Sequence, residues 1–506
     1  MMNMKPKILF WQTSDWFNFN LAYSMNEKIK KYAIIDTVNK PKEFFEKQKF
    51  VSYEKIWFYH SYIKKSKKYD ITYLQKFEEK YKINLWLLAY NERIFYNFNQ
   101  YYKFSTDEVL SILEQECRFF ESVLDEINPD FLIISLTWQH QGELLRQLCK
   151  SKNIKILMIN PSDSTGGTTK WIISEDFLRI DYFEKINFGK KFQELNEVNK
   201  RIKDLEKSVE NLSKFRNEYI KNSQRNRIKA GIQTIFSKNS NEKTHYTYFG
   251  RTRLKVLKNE LISESKTRVR EKFIDKKFQN KINDNDKFIF FPLHTEEERS
   301  LLISAPFYTN QLEVVKHVAK STPIGYKIYV KEHPFMRLRS WRSLSEYKKI
   351  LNIPNVVLIH PNVKSKELIK KSSLVISIKS TTNFEAFFYE KPSINFVAKN
   401  FSILSFAYVV VNINDLPKII RQALKTKVDF NELEGYLQIS KNEMFQFDYN
   451  QYVIDYGNYF HHGGNLVNVQ INYNIMKKFL EKYKEEFDKL ALEYIKKIEQ
   501  HNDSRQ

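Results

Sequence analysis

Two cysteines, Cys117 and Cys149, are all that the 506 residues contain. They form neither a CxxC nor a Cys/His spacing, which excludes a disulfide framework and a cysteine-based zinc site and leaves two reduced, partly buried thiols. Glycine (11) and proline (12) are also scarce, and no Gly-Lys-Ser/Thr follows the Gly166-Gly167 pair, so there is no P-loop. No uninterrupted apolar run approaches the roughly 20 residues that cross a bilayer. The start, Met1 to Trp11, passes from a strand-like run into polar residues without the apolar stretch and small-residue cleavage site of a secretion signal. The expected location is cytoplasmic, either free or peripheral on the inner face of the plasma membrane. No repeat of solenoid length is present.

What is abundant is aromatic and basic. Forty Phe and 30 Tyr supply a large core, and 506 residues suit two or three domains rather than one. The formal charge of +23 is compatible with anionic lipid, anionic polysaccharide or nucleic acid, and equally with a Lys-rich solvated surface. Charge alone decides nothing. No recognisable module clusters basic and aromatic residues, so nucleic acid is not an expected partner.

Strand and helix patterns divide the chain into four. Residues 1–189 read as α/β, with strands at Lys7–Trp11, Ala33–Asp36, Lys55–Tyr59, Phe131–Ser135 and Lys155–Ile159. Between them Leu110, Leu113, Cys117, Phe120 and Leu124 mark one face of a helix from Thr106 to Glu126. Ser105 and Glu108 fit a capping box at its start. Residues 190–285 form a charged helical and basic arm. Phe192, Leu195, Val198, Ile202, Leu205, Val209 and Leu212 follow steps of three and four, and Asn222–Thr244 has no clean period. A solvated connecting helix is the expectation, with recruitment of a partner or membrane as the alternative. Residues 286–425 return to α/β order, with strands at Lys287–Phe291, Lys327–Val330, Val356–Ile359, Leu374–Ile378 and Ser393–Val397. Residues 426–506 read as loops closed by an amphipathic helix bearing Phe479, Tyr483, Phe487, Leu490, Tyr494 and Ile498, which suits packing on the body better than lying on a membrane. The fold class is α/β, with two Rossmann-like domains, an inserted arm and a C-terminal helix.

Two segments of the third part end or follow buried strands, the edge where open α/β sheets bind ligands. One is Tyr329-Val330-Lys331-Glu332-His333-Pro334. The other is Ser380-Thr381-Thr382-Asn383-Phe384-Glu385-Ala386. His333 can donate to a nucleotide phosphate, with Pro334 fixing the turn and Lys331 adding charge. Ser380, Thr381 and Thr382 open a helix and offer hydroxyls and free N–H groups; an ordinary N-cap is the plainer reading. Together with Phe291–Ser300, Pro323–Pro334 and Lys391-Pro392, these segments resemble the bacterial capsule polysaccharide biosynthesis family, firmly over about 287–400 and in flavour over Ile71–Ile159. The resemblance implies a GT-B-type architecture and a glycosyltransferase that moves a sugar from a CMP- or UDP-linked donor to a glycan or glycolipid acceptor of a growing capsule or other surface polysaccharide. It also implies that Glu385 accepts hydrogen bonds from the ribose hydroxyls. The family pattern has Gly where this chain has Asn383 and Glu390.

The second sheet's first strand leads to His294 and Glu298, the latter at the family's position for a general base, with Glu296 and Glu297 adjacent. In the first part, His140 and Asp163 follow strands at the acceptor-facing edge and are base candidates too. Arg299, Arg337 and Arg339 are candidates for neutralising the departing phosphate. Asp284-Asn285-Asp286 precedes a strand rather than following one, which suits a solvated turn, and His461-His462 is isolated. No metal site and no tightly bound cofactor are expected. A sugar-nucleotide epimerase, a polyol-phosphate transferase on the same fold, and a non-catalytic glycan- or membrane-binding assembly protein remain alternatives.

Overall fold

The computed structural model describes residues 5–25, 29–161, 170–176, 190–204, 221, 249–464 and 468–503. Two sheets organise them. The first runs β3 (Lys55–Phe58), β2 (Lys30–Ile35), β1 (Lys7–Gln12), β4 (Phe131–Ile134), β5 (Lys155–Pro161), β6 (Lys170–Ser174) and β13 (Phe445–Gln446). All pairings from β3 to β5 are parallel, and β6 and β13 close one edge antiparallel. The second runs β9 (Val356–Ile359), β8 (Lys327–Lys331), β7 (Phe288–Pro292), β10 (Leu374–Ser377), β11 (Ser393–Asn395) and β12 (Ala407–Val409), all parallel.

In both sheets the strands of each unit lie in the Rossmann order 3-2-1-4-5-6, so each has a switch point: between β1 and β4, and between β7 and β10. Parallel strands covered on both faces must be apolar throughout. That is why Ile8–Trp11, Phe131–Ile134 and Leu374–Ile376 are all buried. The helix between β3 and β4, Thr106–Ile127, starts at the expected capping box. Ser105 Oγ accepts the Glu108 N–H at 3.3 Å and Glu108 accepts the Ser105 N–H at 3.0 Å.

The arm departs from the solvated helix that its charge suggests. Residues 196–204 are helical, and Val198 is only 1% exposed in a cluster with Phe384, Phe387, Leu433 and Tyr436. Glu434 accepts the N–H groups of Glu197 (3.2 Å) and Val198 (2.9 Å), fastening the helix start. The heptad beyond 204 and the Asn222–Thr244 stretch lie outside the described residues, apart from 221. The chain then forms a long helix, Arg253–Lys277, that polar spacing had concealed.

Beyond 426 helices dominate instead of loops. Phe430–Asn442 packs on the second unit, whereas Tyr473–Lys482 and Lys484–Asp503 return to the first. Phe479, Tyr483, Phe487, Leu490, Tyr494 and Ile498 are all buried there, Phe487 lying 5.1 Å from the Phe17 ring. The apolar face is covered by protein, as its mixed polar face implies. Among the described residues no helix is long and apolar enough to cross a membrane.

Candidate functional site

Three strand ends meet at the switch point of the second sheet. His294 and Thr295 follow β7, His333 follows β8, and Lys379 and Ser380 follow β10. Hydrogen bonds join them directly: His294 Nε2 accepts the Lys379 N–H at 3.2 Å, and Thr295 Oγ1 lies 3.1 Å from His333 Nδ1. The Phe335 N–H also donates to His333 Nδ1 (3.3 Å), which places the proton of a neutral ring on Nε2. Pro334 opens a short 3₁₀ turn, Pro334–Arg339, with His333 as its N-cap. His294 is held neutral. Burial, and then the charges of His333, Lys399, Arg342 and Lys379, push it down to about 3. Lys379 and Lys399 are basic groups that act on the site, whereas the charge of Arg342 is met by Glu332, Glu296 and Glu346.

Ser380 and Thr382 bond to one another through their hydroxyls at 3.0 Å, and Thr381 is exposed. Glu385 lies one turn further in. Burial raises its carboxyl to about 7, against the opposing pull of Arg201 and Lys399. Asn383 has no left-handed role: its amide donates to Ile394 O (2.7 Å) and Asn395 Oδ1 (2.9 Å), tying the helix to β11. Glu390, by contrast, has φ 58°, the left-handed backbone for which glycine is the unstrained choice.

The remaining expected residues are distributed more widely. Lys331 turns to the other side of the sheet, where Nζ donates to Ser365 Oγ at 2.8 Å. Glu298 caps the Arg299–Leu302 helix, and Arg299 lies in the field of Glu143 and Arg146 from the first unit. Arg337 pairs with Glu271 at 2.8 Å, outside the site. His140 is sealed between Glu92 and Glu116, each 2.9 Å from a ring nitrogen. Burial opposes the charge on His140, but the two carboxylates outweigh it and push the ring up to about 10. Such a ring stays protonated and cannot act as the base at neutral pH. Asp163 lies outside the described residues, as does the side chain of Arg339. Asp286 sits at the opposite sheet edge, bonded to Lys327 and Tyr329. No group of three or more His, Cys, Asp or Glu side chains that could hold a metal occurs among the described residues.

Arg342 was not foreseen. It is 2% exposed, donates to His294 O (2.5 Å) and Glu332 Oε2 (2.7 Å), and pairs with Glu296 (2.5 Å). One guanidinium thus fixes the loops after β7 and β8 together. Its long-range role leaves no local pattern. Asp15 was also missed, although Thr13-Ser14-Asp15 follows β1 just as His294 follows β7. It lines a crevice with Thr13, Ser135, Thr137 and Trp138 at the first sheet's switch point. Burial raises its carboxyl, partly offset by bonds from the Phe17 N–H and Thr13. Trp16 beside it adopts φ 62°, a costly conformation for an aromatic residue.

Residues 207–407 match the family described as capsule polysaccharide biosynthesis protein. Over this segment the chain is similar to that family. The match holds the strand ends described above and reaches well N-terminal of residue 287, into the arm. Solved structures give more distant similarities. The beta Kdo 2,7 transferase of Thermosulfurimonas dismutans KpsC is 13% identical, over 63% of this chain and 80% of that one, at TM-score 0.30. The beta Kdo 2,4 transferase of the same KpsC is 10% identical, over 64% and 87%, at TM-score 0.32. A UDP-GlcNAc 2-epimerase from Methanocaldococcus jannaschii, in complex with UDP-GlcNAc and UDP, is 14% identical, over 87% and 99%, at TM-score 0.26. The curated proteins contain no match. The fold assignment rests on the strand order of the two sheets, and the family on the 207–407 segment.

Proposed function

We propose that the protein is a glycosyltransferase of capsule or related surface-polysaccharide synthesis that uses a nucleotide-sugar donor. The observation that carries this reading is the hydrogen-bonded meeting of the strand ends at the β7/β10 switch point, Thr295 with His333 and His294 with Lys379, inside the segment that matches the capsule family. In this reading His333 Nε2–H donates to a donor phosphate, the Ser380–Thr382 hydroxyls contact the same group, and Glu385 accepts from the ribose. The acceptor glycan or glycolipid is assigned to the first unit, which has a switch-point crevice of its own.

Sugar transfer needs a base for the acceptor hydroxyl and stabilisation of the leaving phosphate. We assign the base to Asp15, whose raised carboxyl faces the first crevice, with Glu298 as the second candidate. The leaving phosphate gains charge as the glycosidic bond breaks, and Lys379 and Lys399, the basic groups acting on His294, are assigned to meet that charge. The experiment is product analysis with labelled CMP- and UDP-sugars, with and without a capsular oligosaccharide acceptor. Acceptor-dependent transfer, abolished in Asp15→Asn while nucleotide binding persists, is the expected result. An isomerised donor without acceptor would replace this reading by the epimerase one.

A further inference from the structure

Arg201, on the docked 196–204 helix of the arm, is 7% exposed, and its Nε and Nη2 have no hydrogen-bond partner. A buried guanidinium normally has its donors satisfied, because sealing charged N–H groups away from water without acceptors is strongly unfavourable. Its surroundings make the arrangement odder still. Two acids act on its charge, Glu385 and, on its own helix, Asp204, and it forms no ion pair with Glu385. Burial itself raises the Glu385 carboxyl to about 7, so at neutral pH it is only partly a counter-charge. Lys399 acts on the same Glu385 from the β11–β12 connection, and Lys170 in β6 is lowered first by burial and then by Lys200 and Arg201, against Asp204 and Glu197. Basic and acidic groups from both units and the arm therefore meet here. They leave a fork of N–H donors buried beside the helix that carries Ser380 to Glu385.

The helix that delivers Arg201 is held firmly enough to aim it. Val198, one turn earlier on the same face, is locked among Phe384, Phe387 and Tyr436, and Glu434 holds the helix start. Arg201 follows Val198 by three positions, so the face that packs on the Ser380–Phe387 region is the face that carries the charge. A rigid, desolvated Arg with unsatisfied donors has the chemistry to receive a phosphate, which it can meet with two parallel N–H bonds.

We propose that Arg201 is a binding residue for the phosphate of the nucleotide donor, supplied by the arm to a site otherwise built from the second unit. This rests on the nucleotide-sugar reading of that site. It gives the arm a function: the site is complete only when the 196–204 helix is docked.

The test compares wild type with Arg201→Gln and Arg201→Lys by calorimetry against CMP and UDP and against the phosphate-free nucleosides cytidine and uridine, alongside melting of the ligand-free proteins. The expected result is a loss of at least tenfold in nucleotide affinity in Arg201→Gln, with nucleoside affinity unchanged. Ligand-free Arg201→Gln should melt no lower than wild type, because it removes an unsatisfied buried charge. Arg201→Lys should recover only part of the affinity, since a point charge cannot reproduce the fork. Equal weakening of nucleotide and nucleoside, or a marked fall in the ligand-free melting temperature, would assign Arg201 to packing and overturn the proposal. Unchanged nucleotide affinity in a folded Arg201→Gln would also overturn it while leaving the donor site standing. A wild type that binds neither nucleotide nor nucleoside would instead bring down the donor reading on which it rests.

Discussion

Arg342 Nε donates to Glu332 Oε2 at 2.7 Å, and both side chains are almost wholly buried. The other Glu332 oxygen accepts the N–H of His333 at 2.7 Å, and Tyr347 OH reaches Oε2 at 2.9 Å. A carboxylate with this many donors fixes the backbone that presents His333. Replacing Arg342 by Leu strands Glu332 as an uncompensated buried charge, at a cost of about 3–5 kcal/mol. Urea unfolding should show that loss, and Glu332→Gln in the Arg342→Leu background should recover part of it. An Arg342→Leu protein as stable as wild type would remove this network from the account.

His140 predicts a pH dependence of its own. Its folded-state pKa lies near 10, above the ordinary histidine value, because Glu116 and Glu92 hold the proton against the penalty of burial. The stability it contributes is therefore complete below about pH 6.5 and is lost as pH rises from there through 10. Thermal melting between pH 6 and 10 should show the decline. His140→Gln should be less stable at pH 7, leaving Glu92 and Glu116 buried beside each other, and its melting temperature should vary less across that interval.

Glu390 occupies a left-handed position at φ 58°, in the turn between the Thr382–Phe387 helix and β11. A non-glycine residue there costs about 1–2 kcal/mol. Glu390→Gly should therefore raise the melting temperature without changing nucleotide affinity. A fall would mean that the greater freedom glycine gains in the unfolded chain outweighs the relief of strain.

The legible parts of this chain were those governed by local rules. The ten strands expected from runs such as Lys7–Trp11 and Leu374–Ile378 recur within a few residues, because a parallel strand buried on both faces has no polar alternative. β6, β12 and β13 escaped: β6 joins its sheet antiparallel, β12 and β13 are three and two residues long, and the pairing partners of all three rather than their composition define them. At the switch point, the position of His333 was legible from its strand end, whereas the role of Glu385, inside the following helix, came only from the family resemblance. Asp15 obeys the same rule at β1 and was accessible to it. Arg342 was not, since its partners, His294, Glu296 and Glu332, lie at the ends of two other strands. Arg201 was not legible either: the stripe put its neighbour Ile202 on the apolar face of a solvated helix, whereas Arg201 is 7% exposed and Ile202 36%.

Glu385 gives the last prediction two opposite signs. Its carboxyl is raised to about 7, by burial above all. For stability, a raised carboxyl pKa means a contribution that is complete below the ordinary glutamate value and is lost as pH climbs from about 4.3 through 7. For binding, the proposed ribose contact needs the ionised form, which accepts hydrogen bonds through both oxygens. Nucleotide affinity should therefore rise with pH up to about 7 and level off above it, over an interval in which the ligand-free protein is losing stability. Glu385→Gln should weaken binding several-fold, flatten the affinity profile and remove this part of the stability loss together. Calorimetric titration with CMP and UDP from pH 5.5 to 8.5, paired with melting of the free protein, measures both. If binding in the Glu385→Gln protein keeps the wild-type pH profile, the carboxylate does not touch the ribose, and the titrating group must be sought elsewhere in the cleft.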